Sequence, residues 1–159
     1  MKTRSFLLTA LLTLVLLSLP AILWAPGLQA GEDVIVVIVN KANPASALTA
    51  TDLRPIFQTS KTSWSSGGDA VPINLPEDNP LRIAFDQTVL GLDADRVARY
   101  WKDRKIRGGA RPPTRVSSSA AVLKLVAAKE GAVGYLKASE ANATVKVVAK
   151  IAGGKLSGP

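Results

Sequence analysis

Two clusters of side chains in this sequence are suited to holding an anion, and one stretch is suited to attracting one. The first cluster is Asp78, Asn79 and Arg82, at the expected start of a helix that follows a short strand. A helix amino terminus offers unbonded N–H groups and partial positive charge, and an arginine beside it adds a charge-assisted bond to an oxyanion. The same residues also have a ligand-free use, with Asp78 or Asn79 as the cap and Arg82 paired with Asp78 or Asp86 at the surface. The second cluster, Ser117, Ser118 and Ser119, opens a later helix. Its hydroxyls and N–H groups form a neutral donor set of the kind that holds phosphate or sulfate, although capping alone needs one serine. The stretch from 96 to 115 carries eight cations against Asp103 alone, with Tyr100 and Trp101 interleaved. Arg99, Lys102, Arg104, Lys105, Arg107 and Arg111 form its interaction patch. Such a patch suits an acidic protein or an envelope polyanion; the plainer reading is a solvated helix face with the aromatics packed inward.

Bond-breaking chemistry has little to draw on. The chain contains no histidine and no cysteine. That removes a Ser-His-Asp triad, thiol nucleophiles, disulfides and His or Cys metal ligation. Glu77 with Asp78 falls in a turn and Asp93 with Asp95 at a helix start, where capping accounts for them. The expectation is a protein that is not an enzyme and has neither metal nor cofactor.

The elements that must position these residues can be read in outline. The 159 residues are 47% hydrophobic and 20% charged, which suits one globular domain. Lys2 and Arg4 precede an uncharged, apolar-rich run, and Leu28-Gln29-Ala30 stands before Gly31. This pattern predicts a secretory signal over 1–30, cleaved after Ala30, with a membrane anchor as the other reading. The remaining 129 residues carry a net +6, because the signal takes two of the eight excess cations. An exported, cysteine-free protein fits the periplasm, where nucleic acid is not an expected partner.

The all-apolar run Val34 to Val39 predicts a strand covered on both faces. Thr49 or Thr51 caps a short helix bearing Leu53, Ile56 and Phe57, and Pro55 predicts that it begins late. Val71 to Leu75 reads as a strand, and Asn79-Pro80 as the start of a helix carrying Leu81, Ala84, Phe85, Thr88 and Val89. Leu92-Asp93 opens another helix, with Val97, Tyr100 and Trp101 on its inner side. A further helix over Ala120 to Lys129 is followed by strands at Gly131 to Leu136 and Thr144 to Ile151. Residues 153–159 read as a flexible tail. Alternating strands and helices predict an α/β fold with a mainly parallel sheet of four or five strands.

The order of these pieces resembles the phosphate-binding receptors of phosphate ABC transporters. Leu53-Arg54-Pro55-Ile56-Phe57 with Lys61 to Trp64 is similar to their helix, Ile-Phe, Gly-Lys, Trp segment. Val71 to Phe85 is similar to their strand, anion loop and helix, with Asn79-Pro80-Leu81 in place of Ser-Gly-Thr and Leu75 in place of the arginine. Ala127 to Leu136 is similar to their helix followed by Pro-Gly-Ala-Ile-Gly-Tyr-Val. The resemblance implies a single lobe of the type II periplasmic-binding kind over 31–152. It further implies a non-catalytic module that binds a small oxyanion such as phosphate at helix amino termini, through Asn79, Arg82 and Ser117 to Ser119. The alternative is an envelope interaction module that has lost this site and works through its basic stretch. A lone lobe also exposes its cleft, so a homodimer is a further expectation.

Overall fold

The computed structural model describes residues 34–159; the expected signal over 1–30 lies outside the described residues. Strand β1 (Ile35–Asn40) lies inside the sheet and is buried from Ile35 to Val39, as an unbroken β-branched run requires. Helix α1 (Ala50–Phe57) starts earlier than Pro55 suggested, because Thr49 and Asp52 cap each other's backbone N–H groups. Pro55 is accommodated inside this short helix, where it withholds one N–H from the first turn.

Strand β2 (Val71–Asn74) leads through Pro76 to α2 (Pro80–Phe85), which Asn79 caps by accepting from Leu81 N–H. The chain then continues as a π-helical turn, Asp86–Leu90, that ends at Gly91 in the left-handed conformation. Helix α3 (Ala94–Ile106) is capped by Asp93, and α4 (Ser119–Ala128) by Ser118, which leaves β3 (Thr114–Arg115) between them. Strands β4 (Ala132–Lys137), β5 (Val145–Ala152) and β6 (Lys155–Ser157) complete the chain.

The sheet order is β3-β2-β4-β1-β5-β6. It is α/β as expected, but mixed rather than mainly parallel. β2 runs parallel to β3 and β4, whereas β1 is antiparallel to β4 and β5, and β5 to β6. An all-apolar strand reports burial on both faces and carries no information on direction, so the orientation of β1 was not encoded in its run. Six strands form instead of four or five. The short β3 falls where Thr114-Arg115-Val116 reads as extended, and the additional strand, β6, comes from residues read as a flexible tail. There Gly153 and Gly154, both at positive φ, turn the chain back so that Lys155–Ser157 pairs with β5.

Strand alternation puts helices on both faces of β4. Gly134 faces α4, where an added Cβ would lie 2.5 Å from Val122 Cγ1. Tyr135 points to the other face, stacked on Phe85 at 4.0 Å between ring centroids and tilted against Phe57. Gly131 answers a second close approach, since its Cβ would stand 1.9 Å from the Asp69 carbonyl oxygen. The glycines of the Gly131 to Tyr135 motif thus let the backbone at Asp69 and helix α4 approach β4.

Candidate ligand cavity

Parallel strands β2 and β3 both deliver their carboxyl ends into helices, β2 into α2 and β3 into α4. In open α/β sheets this edge is where ligands settle. A cavity of about 610 Å³ opens here. Asn74, Glu77, Arg82 and Asp86 line it from the β2–α2 side, Asp95 and Trp101 from α3, and Arg111 and Arg115 from the loop before and into β3.

Its floor is a buried polar network. Arg82 is 5% exposed; its Nε donates to Asp86 Oδ2 at 3.2 Å and its Nη1 to the Leu75 carbonyl at 2.9 Å. This pairing is one turn apart along the helix, but in the interior and not at the surface. Asp86 Oδ1 is buried and accepts no hydrogen bond. Burial pushes the Asp86 carboxyl above its usual range, against the lowering effect of the Arg82 charge and bond. The Tyr135 hydroxyl donates to Asn74 Oδ1 at 2.5 Å and accepts from Leu75 N–H at 3.4 Å. Burial first, and the Asp86 charge second, push this phenol upward. A buried carboxylate with a free lone pair beside a held guanidinium can accept a ligand's proton and offer positive charge together.

The anion residues expected from sequence do not all converge on this cavity. Arg82 lines it. Asn79 caps α2 and Ser118 caps α4, accepting from Ala121 N–H at 3.3 Å, and neither side chain contributes to the cavity wall. Ser117 and Ser119 flank Ser118 at the same helix start, outside that wall. Of the basic patch, Arg111 lines the cavity, while Arg99, Lys102, Lys105 and Arg107 are exposed. Arg104 is half-buried and turned back along α3. Its Nη1 donates to the Tyr100 hydroxyl at 2.7 Å and to the Gln58 carbonyl at 3.1 Å, which fastens α3 to the end of α1.

Sequence reasoning missed Asn74, Asp86, Trp101 and Tyr135 as members of one site. Asn74 left a signal, as a polar residue at the end of an otherwise apolar strand. Asp86 read as a surface partner of Arg82, while Trp101 and Tyr135 fit a helix and a strand pattern as packing residues, and Tyr135 does pack. Among the described residues, no group of three or more acidic side chains could hold a metal ion, and no helix is long and apolar enough to cross a membrane.

A mixed sheet with helices on both faces, and a cavity where its parallel strands end, is the architecture of a ligand-binding lobe. The family model of the PBP superfamily domain matches residues 28–158, and the chain belongs to that family. Among solved structures it is similar to an ABC-type phosphate transport receptor from Vibrio cholerae, at 20% identity and a TM-score of 0.60, over 74% of this chain and 46% of that one. It is similar also to a putative phosphate ABC transporter substrate-binding protein with bound phosphate from Clostridium perfringens, at 24% identity and a TM-score of 0.60, over 74% of this chain and 45% of that one. A third, PstS from Borrelia burgdorferi, aligns at 13% identity and a TM-score of 0.58, over 74% and 47%. The chain therefore spans a little under half the length of each, and what is shared is the fold. No curated protein matches it.

Proposed function

We propose that this protein is an exported, non-catalytic binding module that takes a small, proton-bearing oxyanion such as hydrogen phosphate in the cavity over Arg82 and Asp86. One observation carries the reading: a buried arginine, held by two hydrogen bonds, lies beside a buried carboxylate oxygen that has no partner. Arg111 and Arg115 on the same wall add positive charge. The carboxylate would repel a bare anion, but it turns attractive toward one that brings a proton to Oδ1. A hydrogen bond to a charged group contributes about 1.5–3 kcal/mol, so the preference for phosphate over unprotonated sulfate should be about tenfold or more. Capping by Asn79 and Ser118 leaves α2 and α4 with their positive ends toward this edge of the sheet, which favours the same sign of ligand. The phosphate named for the Clostridium perfringens structure agrees with the choice of ligand. The basic start and apolar run before Ala30 support export.

Calorimetric titration of the purified protein at low salt tests this reading. Phosphate should bind saturably, with sulfate about tenfold weaker or worse. Asp86→Asn should bring the two anions closer together, and Arg115→Ser, at an exposed wall position, should weaken both. Absence of heat with either anion would sink the proposal.

A further inference from the structure

A second cavity, of about 650 Å³, shares Trp101, Arg111 and Pro112 with the first. Its remaining lining is Lys102 and Lys105 of α3 and the loop residues Gly108, Gly109 and Ala110. The two compartments differ in charge. The first sets Arg82, Arg111 and Arg115 against Glu77, Asp86 and Asp95; the second has Lys102, Lys105 and Arg111 and no acid. None of these three cations takes part in an ion pair among the described residues.

The second trough is a built feature. Gly108, at a φ of 68°, reverses the chain past the end of α3, and Gly109 N–H bonds back to the Arg104 carbonyl at 2.8 Å. Arg104 donates to Tyr100 and Gln58 and sets its guanidinium over the Trp101 ring, 5.9 Å from the centroid, so Lys102 and Lys105 are the cations of α3 that line the trough. The same trough is lined by the indole of Trp101, by Pro112 and by Ala110, which give it an apolar base. Ile106, one helical turn beyond Lys102, is 74% exposed. Apolar surface set beside unpaired cations suits the receipt of a partner that carries both an apolar group and negative charge.

We propose that this trough docks an acidic peptide segment bearing one aromatic or large aliphatic side chain. That side chain would lie against Trp101 and Pro112, and carboxylates on either side would meet Lys102, Lys105 and Arg111. Charge complementarity requires an acidic partner, and the apolar base selects among acidic partners. A polyanion or an anionic lipid headgroup would satisfy the cations and leave the indole and proline uncovered. The inference stands apart from the oxyanion reading, because Lys102, Lys105 and Ala110 do not line the first cavity.

Fluorescence anisotropy on the purified protein provides the test, with fluorescein-labelled Asp-Glu-Phe-Glu-Asp and its Asp-Glu-Ser-Glu-Asp counterpart as probes. The Phe peptide should bind about tenfold tighter than the Ser peptide. Lys102→Ser/Lys105→Ser should weaken the Phe peptide by about tenfold or more and leave phosphate binding in place. Trp101→Ala should remove the difference between the peptides. Because Trp101 also packs against the core, Ala110→Asp at an exposed trough position gives a second route, and should expel both peptides. Equal binding of the two peptides, or unchanged Phe-peptide binding by the double lysine variant, overturns the proposal. So does binding of heparin or phosphatidylglycerol vesicles when neither peptide binds.

Discussion

Arg82 and Lys105 are both cations on helices that wall a cavity, and their surroundings differ in every other respect. Arg82 follows a buried strand, and its side chain is 6% exposed, as is that of Asp86, its partner. Its direction is fixed by the Asp86 carboxylate and the Leu75 carbonyl, so it presents charge in one geometry. Lys105 is exposed on α3 and takes part in no ion pair among the described residues. A held buried charge can discriminate between ligands, because any group it fails to match leaves an unsatisfied partner in the interior. An exposed charge attracts from a distance and is screened by salt. One short chain thus sets a held, buried cation and exposed, unpaired ones around two cavities that share Trp101, Arg111 and Pro112.

The largest expected break in this contrast is Arg82→Met. It strands the Asp86 carboxylate in the interior, so it should cost about 3–5 kcal/mol and lower the thermal midpoint by about 10 °C or more. Arg82→Met/Asp86→Leu, which removes both charges, should restore most of that loss. A single variant as stable as the wild type would mean that the pair is not buried in solution.

A smaller effect concerns pH. Burial raises the Asp86 carboxyl above its ordinary value of 3.8, so the folded chain binds that proton more tightly than the unfolded chain. The stabilisation is complete below the unfolded value and fades as pH rises through the folded one. Compared with Asp86→Asn, which stays neutral, the wild type should therefore gain stability as pH falls from about 7 toward about 4. Urea midpoints across that range measure the gap, and a flat gap would contradict a raised carboxyl.

The smallest effect sharpens the other side of the comparison. Lys102→Ser/Lys105→Ser removes two exposed cations and should change unfolding stability by no more than about 0.5 kcal/mol. A larger loss in thermal or urea unfolding would show that these lysines hold the fold together, as Arg104 does through Tyr100 and Gln58.

Much of the local structure was legible because its causes are local. Asn79-Pro80 and Asp93 start helices, and one of the three serines, Ser118, caps α4; each uses a side chain to meet N–H groups two or three residues on. Leu53, Ile56 and Phe57 were read as one apolar face, and all three are buried. The same locality leaves Asn79 and Ser117 to Ser119 open to two readings, because a good cap has the chemistry of an anion site; the structure shows Asn79 and Ser118 as caps. Arg104 read as part of a charged surface because its partner, the Gln58 carbonyl, is a backbone group 46 residues away.

What the sequence by itself determined is which segments are buried, where helices begin, and the excess of cations in one stretch. Those follow from side-chain chemistry and from periods of two or three to four residues. The direction of β1, the interior position of the Arg82–Asp86 pair and the bond from Tyr135 to Asn74, 61 residues apart, were decided by the tertiary structure. Each depends on which strands become neighbours. No residue or spacing encodes that choice, because it belongs to the packing of the whole sheet.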